Sequence, residues 1–211
     1  MSIWSGDLTL RDAQDLEDVA TAAWLSEALF AALELGLFEA LGTENLEVSE
    51  LARRCGADRD ATGRLVNVLA ALGLVAQYDG RVACGTVARR HLRRGTDGYL
   101  GHSLAYRRGL ATHWSRLAEA VRTGGSPLEV AEDEDEVAYR ARVRVYLLAM
   151  DDVARHKAQR IAERVHLDRL LAGRSRHGGA VLDVAGGPGR WPPSCCAGIP
   201  PGRRWCWTCP R

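Results

Sequence analysis

Residues 181–189 read VLDVAGGPG, a short apolar run that passes directly into a glycine-rich turn. The β-branched valines favour a buried strand, and the glycines allow the backbone to turn sharply and to approach a ligand closely. Asp183 stands three residues before the first glycine and supplies a hydrogen-bond acceptor near the end of the strand. A glycine-rich turn alone is as compatible with a plain loop as with a binding site, so its meaning depends on the sequence around it.

The beginning of the chain is dominated by a helical pattern. Residues 18–41 repeat apolar side chains at helical spacing, with a break at Gly36, and predict a helix followed by a short second one. Their apolar surface is wider than the stripe of about 100° that a surface helix needs, so the helix lies centrally in its domain or meets a partner chain. We expect the chain to self-associate through this surface. Its members include Trp24, Leu25, Leu29 and Phe30.

The next part of the chain carries the pattern of a winged helix. Residues 48–56 and 58–73 predict two short helices joined by a tight turn, with Asp58 as the cap of the second helix. Two apolar segments follow, and the Asp79-Gly80 dipeptide between them suits the positive φ angles of a two-residue hairpin turn. A helix-turn-helix followed by a hairpin is a winged helix.

Two long helices are predicted between the winged helix and the strand. Residues 96–123 have helical periodicity up to an interruption that begins at Gly124, and a second long helix is predicted for about residues 137–165. The acidic run at 132–136 is interpreted as a solvated loop or a helix start, where negative charge suits the N-terminus of the helix. The chain is therefore predicted to be mainly α-helical up to the strand.

Composition and charge narrow the possible function classes. The chain has 211 residues, 46% of them hydrophobic, which is enough for a packed core. Its 28 Lys and Arg nearly cancel its 27 Asp and Glu, so no overall field favours nucleic acid or an anionic membrane. The N-terminus lacks a basic segment followed by an apolar run, and nowhere do eighteen apolar residues follow one another. We expect a cytoplasmic protein with neither a nucleic-acid nor a membrane partner.

Four of the six cysteines lie in the last seventeen residues of the chain. They are Cys195, Cys196, Cys206 and Cys209. A four-thiolate zinc site is one interpretation of this group. An adjacent cysteine pair is poor ligand spacing, however, and no predicted fold surrounds it. We therefore expect no metal, and we favour an origin of this tail outside evolved protein sequence.

The strand, the glycine turn, the acid before it and the winged helix together resemble S-adenosylmethionine-dependent methyltransferases, in the group of plant and bacterial small-molecule O-methyltransferases. The resemblance covers nearly the whole chain up to Gly189. The best-matching stretches are ALELGLF at 32–38, LAALGLV at 69–75, WSRL at 114–117 with the run to Gly124, and VLDVAGGPG at 181–189. The family's usual turn has Gly in place of Ala185 and Thr or Ser in place of Pro188.

The resemblance implies the fold class and its division into domains. Residues 1–95 would be a winged-helix dimerisation domain, and residues 96–178 a helical linker that contributes to the substrate pocket. Residues 179–211 would begin a Rossmann-like α/β domain that binds S-adenosylmethionine, truncated after its first strand and glycine turn. The implied partners are a second copy of the chain, giving a homodimer, and a small molecule with an aromatic or polyketide hydroxyl as the methyl acceptor.

The resemblance also assigns residues to sites. Those expected to bind the cofactor are Asp183, Gly186, Gly187 and Gly189. Tyr146 and Met150, four residues apart on one helical face, fall where the family often places an aromatic and a methionine beside the acceptor, although ordinary core packing would give the same pair. The family's histidine base lies in a later segment, so no catalytic residue is assigned and the histidines present are expected at the surface. They are His91, His102, His113, His156, His166 and His177.

Residues 190–211 depart from the family pattern. Their prolines and lack of helical periodicity exclude the helix expected after the glycine turn, and their excess of Trp, Pro, Cys and Arg is typical of GC-rich DNA read out of frame. With GC-rich codons for this segment, reading from the third base of codon 190 gives LAAELLRRHPAGPALVLDLPR. This peptide has the amphipathic helix, turn and acid-terminated strand of the family, whose acid contacts the cofactor's ribose. We favour a frameshift near Gly189, and we expect a disordered tail, a strand at 180–184 without a ladder partner, and an inactive chain.

A winged helix also permits a different function, that of a DNA-binding transcriptional regulator. The residues that would contact DNA are Arg59, Arg64, Asn67, Arg89, Arg90, Arg93 and Arg94. Asp58 and Asp60 would then face phosphates, and a regulator would not need the strand that begins at Val181. The methyltransferase is therefore the favoured interpretation.

Overall fold

The computed structural model describes residues 9–126, 134–165, 181–184 and 204–207. The chain divides into two compact units, residues 1–89 and residues 90–211. The described part is mainly helical with a small sheet, which confirms the predicted fold class.

The first unit contains four helices and a three-stranded sheet within its described residues. Its helices are α1 (Ala13–Glu34), α2 (Leu37–Leu41), α3 (Val48–Cys55) and α4 (Arg59–Ala71), and its strands are β1 (Leu46–Glu47), β2 (Val75–Tyr78) and β3 (Arg81–Cys84). A short helix, α5 (Thr86–His91), follows β3. The second unit contains α6 (Gly101–Trp114), α7 (Leu117–Thr123), α8 (Glu136–Val165), β4 (Val181–Val184) and β5 (Arg204–Trp207).

The ends of the first helices follow the sequence signals. Asp12 caps α1 by accepting a hydrogen bond from the backbone N–H of Asp15 at 2.9 Å, and Gly36 breaks the helix with a φ of 63°. Asp58 caps α4 in the same way, accepting from the N–H of Ala61 at 2.8 Å. The predicted helix with its short successor is confirmed.

The winged helix is also confirmed, and it has one strand more than predicted. The hairpin of β2 and β3 turns at Asp79 and Gly80, whose φ angles of 47° and 72° match the predicted turn. β1 pairs antiparallel with β3, so the strand order is β1-β3-β2. With two residues, β1 is too short to show an alternating pattern in the sequence. The largest fully buried side chains of this unit are Leu37, Phe38, Leu41, Leu51, Val66, Leu69 and Val82.

The single helix predicted for residues 96–123 is wrong. The segment before α6 is held as a loop, because the Thr96 hydroxyl donates to two backbone carbonyls at 2.9 Å and the N–H of Leu100 donates to the carbonyl of His91 at 2.8 Å. The helix ends at Trp114 and resumes at Leu117. At that break the Ser115 hydroxyl donates to the carbonyl of Thr112 at 2.7 Å, a local bond that competes with helix geometry.

The strand predicted at 180–184 is present in the second unit as β4, Val181–Val184, and this strand has a partner. β4 pairs in parallel with β5, with Val181 opposite Arg204 and Val184 opposite Trp207. The expectation of a strand without a ladder partner is therefore wrong, because the tail itself supplies four residues in extended conformation. The glycine turn and the rest of the tail, for which mobility and disorder were expected, lie outside the described residues.

Candidate functional site

The cofactor residues named from the sequence are only partly within the described structure. Asp183 is the third residue of β4, and Cys206 is its register partner on β5. The three glycines, Gly186, Gly187 and Gly189, lie outside the described residues. Their assignment, like that of Asp183, remains a prediction.

The parallel pair forms an edge of the kind that nucleotide-like cofactors use. Parallel strands bring their carboxyl ends to the same edge of a sheet, and ligands bind in the crevice outside that edge. β4 carries Asp183 close to this end, whereas β5 ends at Trp207. The chain has no Asp or Glu after Asp183. Within the described strands β4 and β5, Asp183 is therefore the one acidic residue.

The helices α6 and α8 pack against each other and hold the residues named for the acceptor. Tyr146 is 46% exposed, and its ring meets that of Tyr106 edge-on, with 5.8 Å between the ring centroids. Met150 is half-buried one turn further along α8. The exposed part of Tyr146 leaves an aromatic face open to a ligand. Contact with an acceptor remains a prediction for both residues.

The start of α8 uses the acidic run found in the sequence. The Oδ1 atom of Asp135 accepts the N–H of Ala138 at 2.7 Å, as expected for a helix start. Glu134 is bound by both arms of the Arg142 guanidinium at 2.9 and 2.7 Å, and the hydrogen bond from Arg142 lowers the pKa of this carboxyl. The Arg142 guanidinium also lies 5.5 Å from the ring centroid of Tyr139. Arg142 thus orders the acidic segment and the aromatic surface of α8 together.

A buried carboxylate links the two helices near the start of α6. The Asp152 side chain is fully buried, and its Oδ1 atom lies 3.3 Å from Nδ1 of His102 and 2.6 Å from a terminal nitrogen of Arg155. Its Oδ2 atom accepts the N–H of Ser103 at 3.1 Å. Arg155 also pairs with Asp151 at 3.3 Å. Asp151 and Asp152 therefore share Arg155, and Asp152 also orients the ring of His102.

His102 was expected to be a surface residue like the other histidines. Its side chain is 46% exposed, and its ring is anchored on Asp152 and meets the Tyr99 ring edge-on at 5.2 Å with an interplanar angle of 89°. Sequence analysis missed this cluster because its partners are about fifty residues apart and on different helices. A histidine at the start of one helix with an Asp-Asp pair on another was the available signal.

Two clefts flank the loop before α6. The first has a volume of about 310 Å³ and is lined by Arg94, Gly95, Tyr99, Gly101, His102 and Ala105. The second has a volume of about 410 Å³ and includes Arg90, His91, Asp97, Asp152 and Arg155 in its lining. In the second cleft, the Arg155 guanidinium is engaged by Asp152 and by the backbone carbonyl of Asp97 at 2.9 Å.

Other kinds of site find no support in the described parts of the chain. No group of three or more metal-ligating side chains comes together there, and the side chains of the tail cysteines lie outside those parts. None of the helices described is both long and apolar enough to cross a membrane. Asn67, one of the residues named for DNA contact, accepts a hydrogen bond from Gln77 at 3.0 Å.

Comparison with protein families and known proteins gives a consistent result. A family model described as the O-methyltransferase dimerisation domain matches residues 17–94. The 3-hydroxy-5-methyl-1-naphthoate 3-O-methyltransferase of Streptomyces sahachiroi is 33% identical over 177 residues, which are 82% of this chain and 49% of that protein. The phenazine-1-carboxylate N-methyltransferase of Pseudomonas aeruginosa is 30% identical over 185 residues, 85% of this chain and 52% of that protein.

Solved structures agree at the level of the fold. Human N-acetylserotonin methyltransferase in complex with S-adenosylmethionine superposes with a TM-score of 0.69 at 22% identity, covering 91% of this chain and 57% of that one. The chain spans about half the length of the curated relatives it matches.

Proposed function

Since the chain belongs to the S-adenosylmethionine-dependent O-methyltransferase family, we propose that its function is methyl transfer to a hydroxyl group of an aromatic acid. The observation that carries this proposal is the strand β4, which follows a dimerisation domain in the chain and precedes the glycine-rich sequence at 185–189. The names of two curated relatives support an aromatic acid as the acceptor, because both describe ring systems that bear a carboxylate; the first relative is an O-methyltransferase and the second an N-methyltransferase. The DNA-binding alternative gains no support from any relative and is not proposed.

The roles that we propose for the chain's residues come from the family resemblance. When bound, S-adenosylmethionine supplies an electrophilic methyl group on a sulfonium sulfur. Asp183 would accept a hydrogen bond from the cofactor, and Gly186, Gly187 and Gly189 would let the backbone approach it. Tyr146 and Met150 would contact the flat face of the acceptor, one through its ring and the other through its adaptable thioether. These residues bind and orient, and no catalytic base is assigned among them.

We also propose that the protein acts as a homodimer. The described face of α1 supports this, because Trp24 is 70% exposed, Leu25 is 50% exposed, and Leu16 and Val19 are also exposed. Such a surface is unfavourable in water unless another chain covers it. The division into a dimerisation domain at 1–95, a helical region at 96–178 and the start of the cofactor domain at 179–211 belongs to the same proposal.

The proposal includes a frameshift near Gly189 that leaves this chain without activity. With the GC-rich codons used above, the shifted reading gives LVLD, a strand that ends in an acid, between the third base of codon 204 and the second base of codon 208. The strand β5, at 204–207, overlaps this stretch and pairs in parallel with β4. The shifted reading thus places a carboxylate at the end of β5, where the present chain has Trp207 and no acid follows. That carboxylate would complete the edge described above.

The experiment has two steps. The gene is first sequenced across codon 189 and beyond, and we expect an open frame that encodes further strands and helices. The in-frame protein is then incubated with radiolabelled S-adenosylmethionine and a panel of aromatic hydroxy acids. Label in an ether product of the in-frame protein, and none with the present chain, supports the proposal. An intact reading frame through codon 211, or an in-frame protein that methylates no hydroxyl compound, would contradict it.

A further inference from the structure

We propose that Tyr106 on α6 is a positioning residue for the methyl acceptor, because its ring holds the ring of Tyr146 in the orientation that an acceptor would meet. This inference rests on the proposed function in one respect, namely that Tyr146 contacts the acceptor. Tyr106 was not named from the sequence, and it lies on a different helix from Tyr146.

The contact between the two tyrosines joins α6 to α8. Their ring centroids are 5.8 Å apart and their planes are inclined by 69°, the edge-on arrangement that aromatic pairs prefer. Tyr106 is half-buried, whereas Tyr146 is 46% exposed. A side chain with that much exposure exchanges between rotamers unless a neighbour holds it. The less exposed ring of Tyr106 is the neighbour that restricts Tyr146.

Tyr106 is itself fixed relative to α8 by the first turn of its helix. The N–H of Ser103 donates to the Oδ2 atom of Asp152 at 3.1 Å, and the Asp152 side chain is fully buried. Tyr106 follows Ser103 by about one helical turn, so the hydrogen bond that joins the helices also sets the height of the Tyr106 ring on α8. The ring contact therefore forms between two helices that are already held together.

Arg142 extends this cluster towards the start of α8. Tyr139, Arg142 and Tyr146 recur at helical spacing and share one face of the helix. The Arg142 guanidinium lies 5.5 Å from the ring centroid of Tyr139 and donates two hydrogen bonds to Glu134. The hydrogen bond to Glu134 raises the pKa of Arg142, and the Tyr106 hydroxyl contributes in the same direction. Tyr106 therefore interacts with two groups on the same face of α8.

The exposure of the pair separates a positioning role from plain core packing. Core packing would bury both rings, but nearly half of the Tyr146 side chain is open to solvent. An aromatic ring that is already held in one orientation binds a flat ligand more tightly than a free ring, because less side-chain entropy is lost on binding. Tyr106 would act through Tyr146 in this way without touching the acceptor.

The test follows the Tyr146 ring by ¹⁹F NMR in the full 211-residue chain, with 3-fluorotyrosine incorporated at position 146 alone. Without a ligand, Tyr106→Leu removes the neighbouring ring and should move the resonance towards its value in the unfolded chain. Tyr106→Phe keeps the ring and should leave the resonance in place. Tyr99→Leu is the matched control, because it removes a different edge-on ring contact, that with His102, from the same unit and should also leave the resonance in place.

The same labelled chains are then titrated with 3-hydroxy-2-naphthoate as the probe. The probe should shift the resonance in the wild type, in Tyr106→Phe and in Tyr99→Leu at similar concentrations. Tyr106→Leu should raise the dissociation constant by about three- to tenfold, the effect of losing one edge-on aromatic contact. Far-UV circular dichroism verifies that each variant is folded, and Tyr106→Met is the second variant without a ring.

Three results would overturn the inference: a resonance unmoved by loss of the Tyr106 ring, equal affinity for the probe in the wild type and the ringless variants, or no response of the wild type to the probe. Because no methyl donor is present, these measurements are independent of the methyl-transfer assay. Methylation by the in-frame protein with any of these results would leave the proposed function standing. The expected NMR results with no methylation by the in-frame protein would overturn the proposed function and keep Tyr106 as the residue that positions Tyr146.

Discussion

The Nδ1 atom of His102 on α6 lies 3.3 Å from the Oδ1 atom of Asp152 on α8, and the Asp152 side chain is fully buried. The same carboxylate accepts the N–H of Ser103 and a hydrogen bond from Arg155. A buried charge is tolerated only where it is paired and hydrogen-bonded, and here one side chain meets three donors. Asp152 therefore determines how α6 and α8 pack and how the histidine is oriented.

Asp152→Ala should be among the most damaging single changes in the second unit. It would leave the Arg155 charge half-compensated and the Ser103 N–H without its partner, at a cost of about 3–5 kcal/mol in the free energy of unfolding. Arg140→Ala on the same helix breaks an exposed ion pair with Glu136 and should cost about 0.5 kcal/mol. Urea denaturation measures the loss of stability in both variants. Equal unfolding midpoints for the two variants would contradict this role of Asp152.

Gly85→Ala should destabilise the winged helix strongly. A Cβ at Gly85 would collide with the backbone carbonyl of Gly73 and lie 3.0 Å from the carbonyl carbon and oxygen of Leu74, and backbone atoms cannot move aside as a flexible side chain can. The Gly85 N–H also donates to the Leu74 carbonyl at 2.8 Å, so a hydrogen bond holds these two backbone segments close together. We expect a loss of about 2–3 kcal/mol, within the range for overpacking.

Gly63→Ala is the matched control for this prediction. Gly63 lies inside α4, and a Cβ there would make only an ordinary contact of 3.8 Å with Val48. Alanine is the better helix former by about 1 kcal/mol, so this variant should be as stable as the wild type or more stable. A thermal shift assay that gives Gly63→Ala a lower Tm than Gly85→Ala would contradict the packing argument.

The first unit should lose stability in acid through Glu50. Hydrogen bonds from Arg53 and then Arg54 lower the pKa of the Glu50 carboxyl from 4.5 to about 2. A carboxyl whose pKa is lower in the folded chain stabilises the fold above its unfolded pKa, and that contribution is lost as pH falls from about 4.5 towards 2. Glu50→Gln should therefore lower Tm near neutral pH, and its difference from the wild type should shrink over that acidic interval.

The control for Glu50 is Glu34→Gln at the end of α1, which removes a carboxylate from the same unit and leaves the contacts of Arg53 and Arg54 intact. Because this variant keeps the ion pairs of Glu50, it should lose stability between pH 4.5 and 2 as the wild type does. Because Glu50 and its partners lie at the surface, added salt should also reduce the effect of Glu50→Gln. An effect that persists unchanged in strong acid would show that Glu50 acts through packing.

The elements that the sequence predicted are those specified by neighbouring residues. The cap at Asp58, the Asp79-Gly80 turn and the glycine break at Gly36 each act within a few positions, and their signals are local. The failures concern long-range contacts. The pairing of β1 with β3 and the loop held by Thr96 depend on hydrogen bonds that periodicity does not report.

The candidate site shows the same limit. Tyr146, Met150 and the residues of 181–189 were named from a family resemblance, which supplies positions without contacts. The Asp152 cluster could not be derived in this way, because its charge becomes significant only when α6 and α8 bury it. The pairing of β4 with β5 was missed for a different reason, since the tail has no strand pattern of its own.

The exposed face of α1 should mediate self-association. Trp24→Glu places a charge in the centre of an apolar surface and should raise the dimer dissociation constant by roughly tenfold or more, as expected for an aromatic anchor. Val121→Glu on α7 changes a side chain that is even more exposed, at 77%, and should leave the association unchanged. Analytical ultracentrifugation at micromolar concentration measures the dissociation constant of each variant and of the wild-type chain. A wild-type chain that is a monodisperse monomer would contradict the prediction.

The cofactor site of this chain should be too incomplete to bind S-adenosylmethionine measurably. β4 and β5 supply two parallel strands and one acid, Asp183, but the edge lacks a carboxylate on β5, because no Asp or Glu follows Asp183 in the sequence. A cofactor ribose bound there would lose its charge-assisted hydrogen bonds. Calorimetry on the 211-residue chain should therefore show no heat of binding at micromolar cofactor.

The in-frame protein, with its acid after the second strand and the sequence that follows, should bind S-adenosylmethionine. Asp183→Ala in that protein should weaken binding by about tenfold or more, and Asp168→Ala serves as the control outside β4. Micromolar binding by the 211-residue chain would show that its own tail completes the site and would refute the frameshift account.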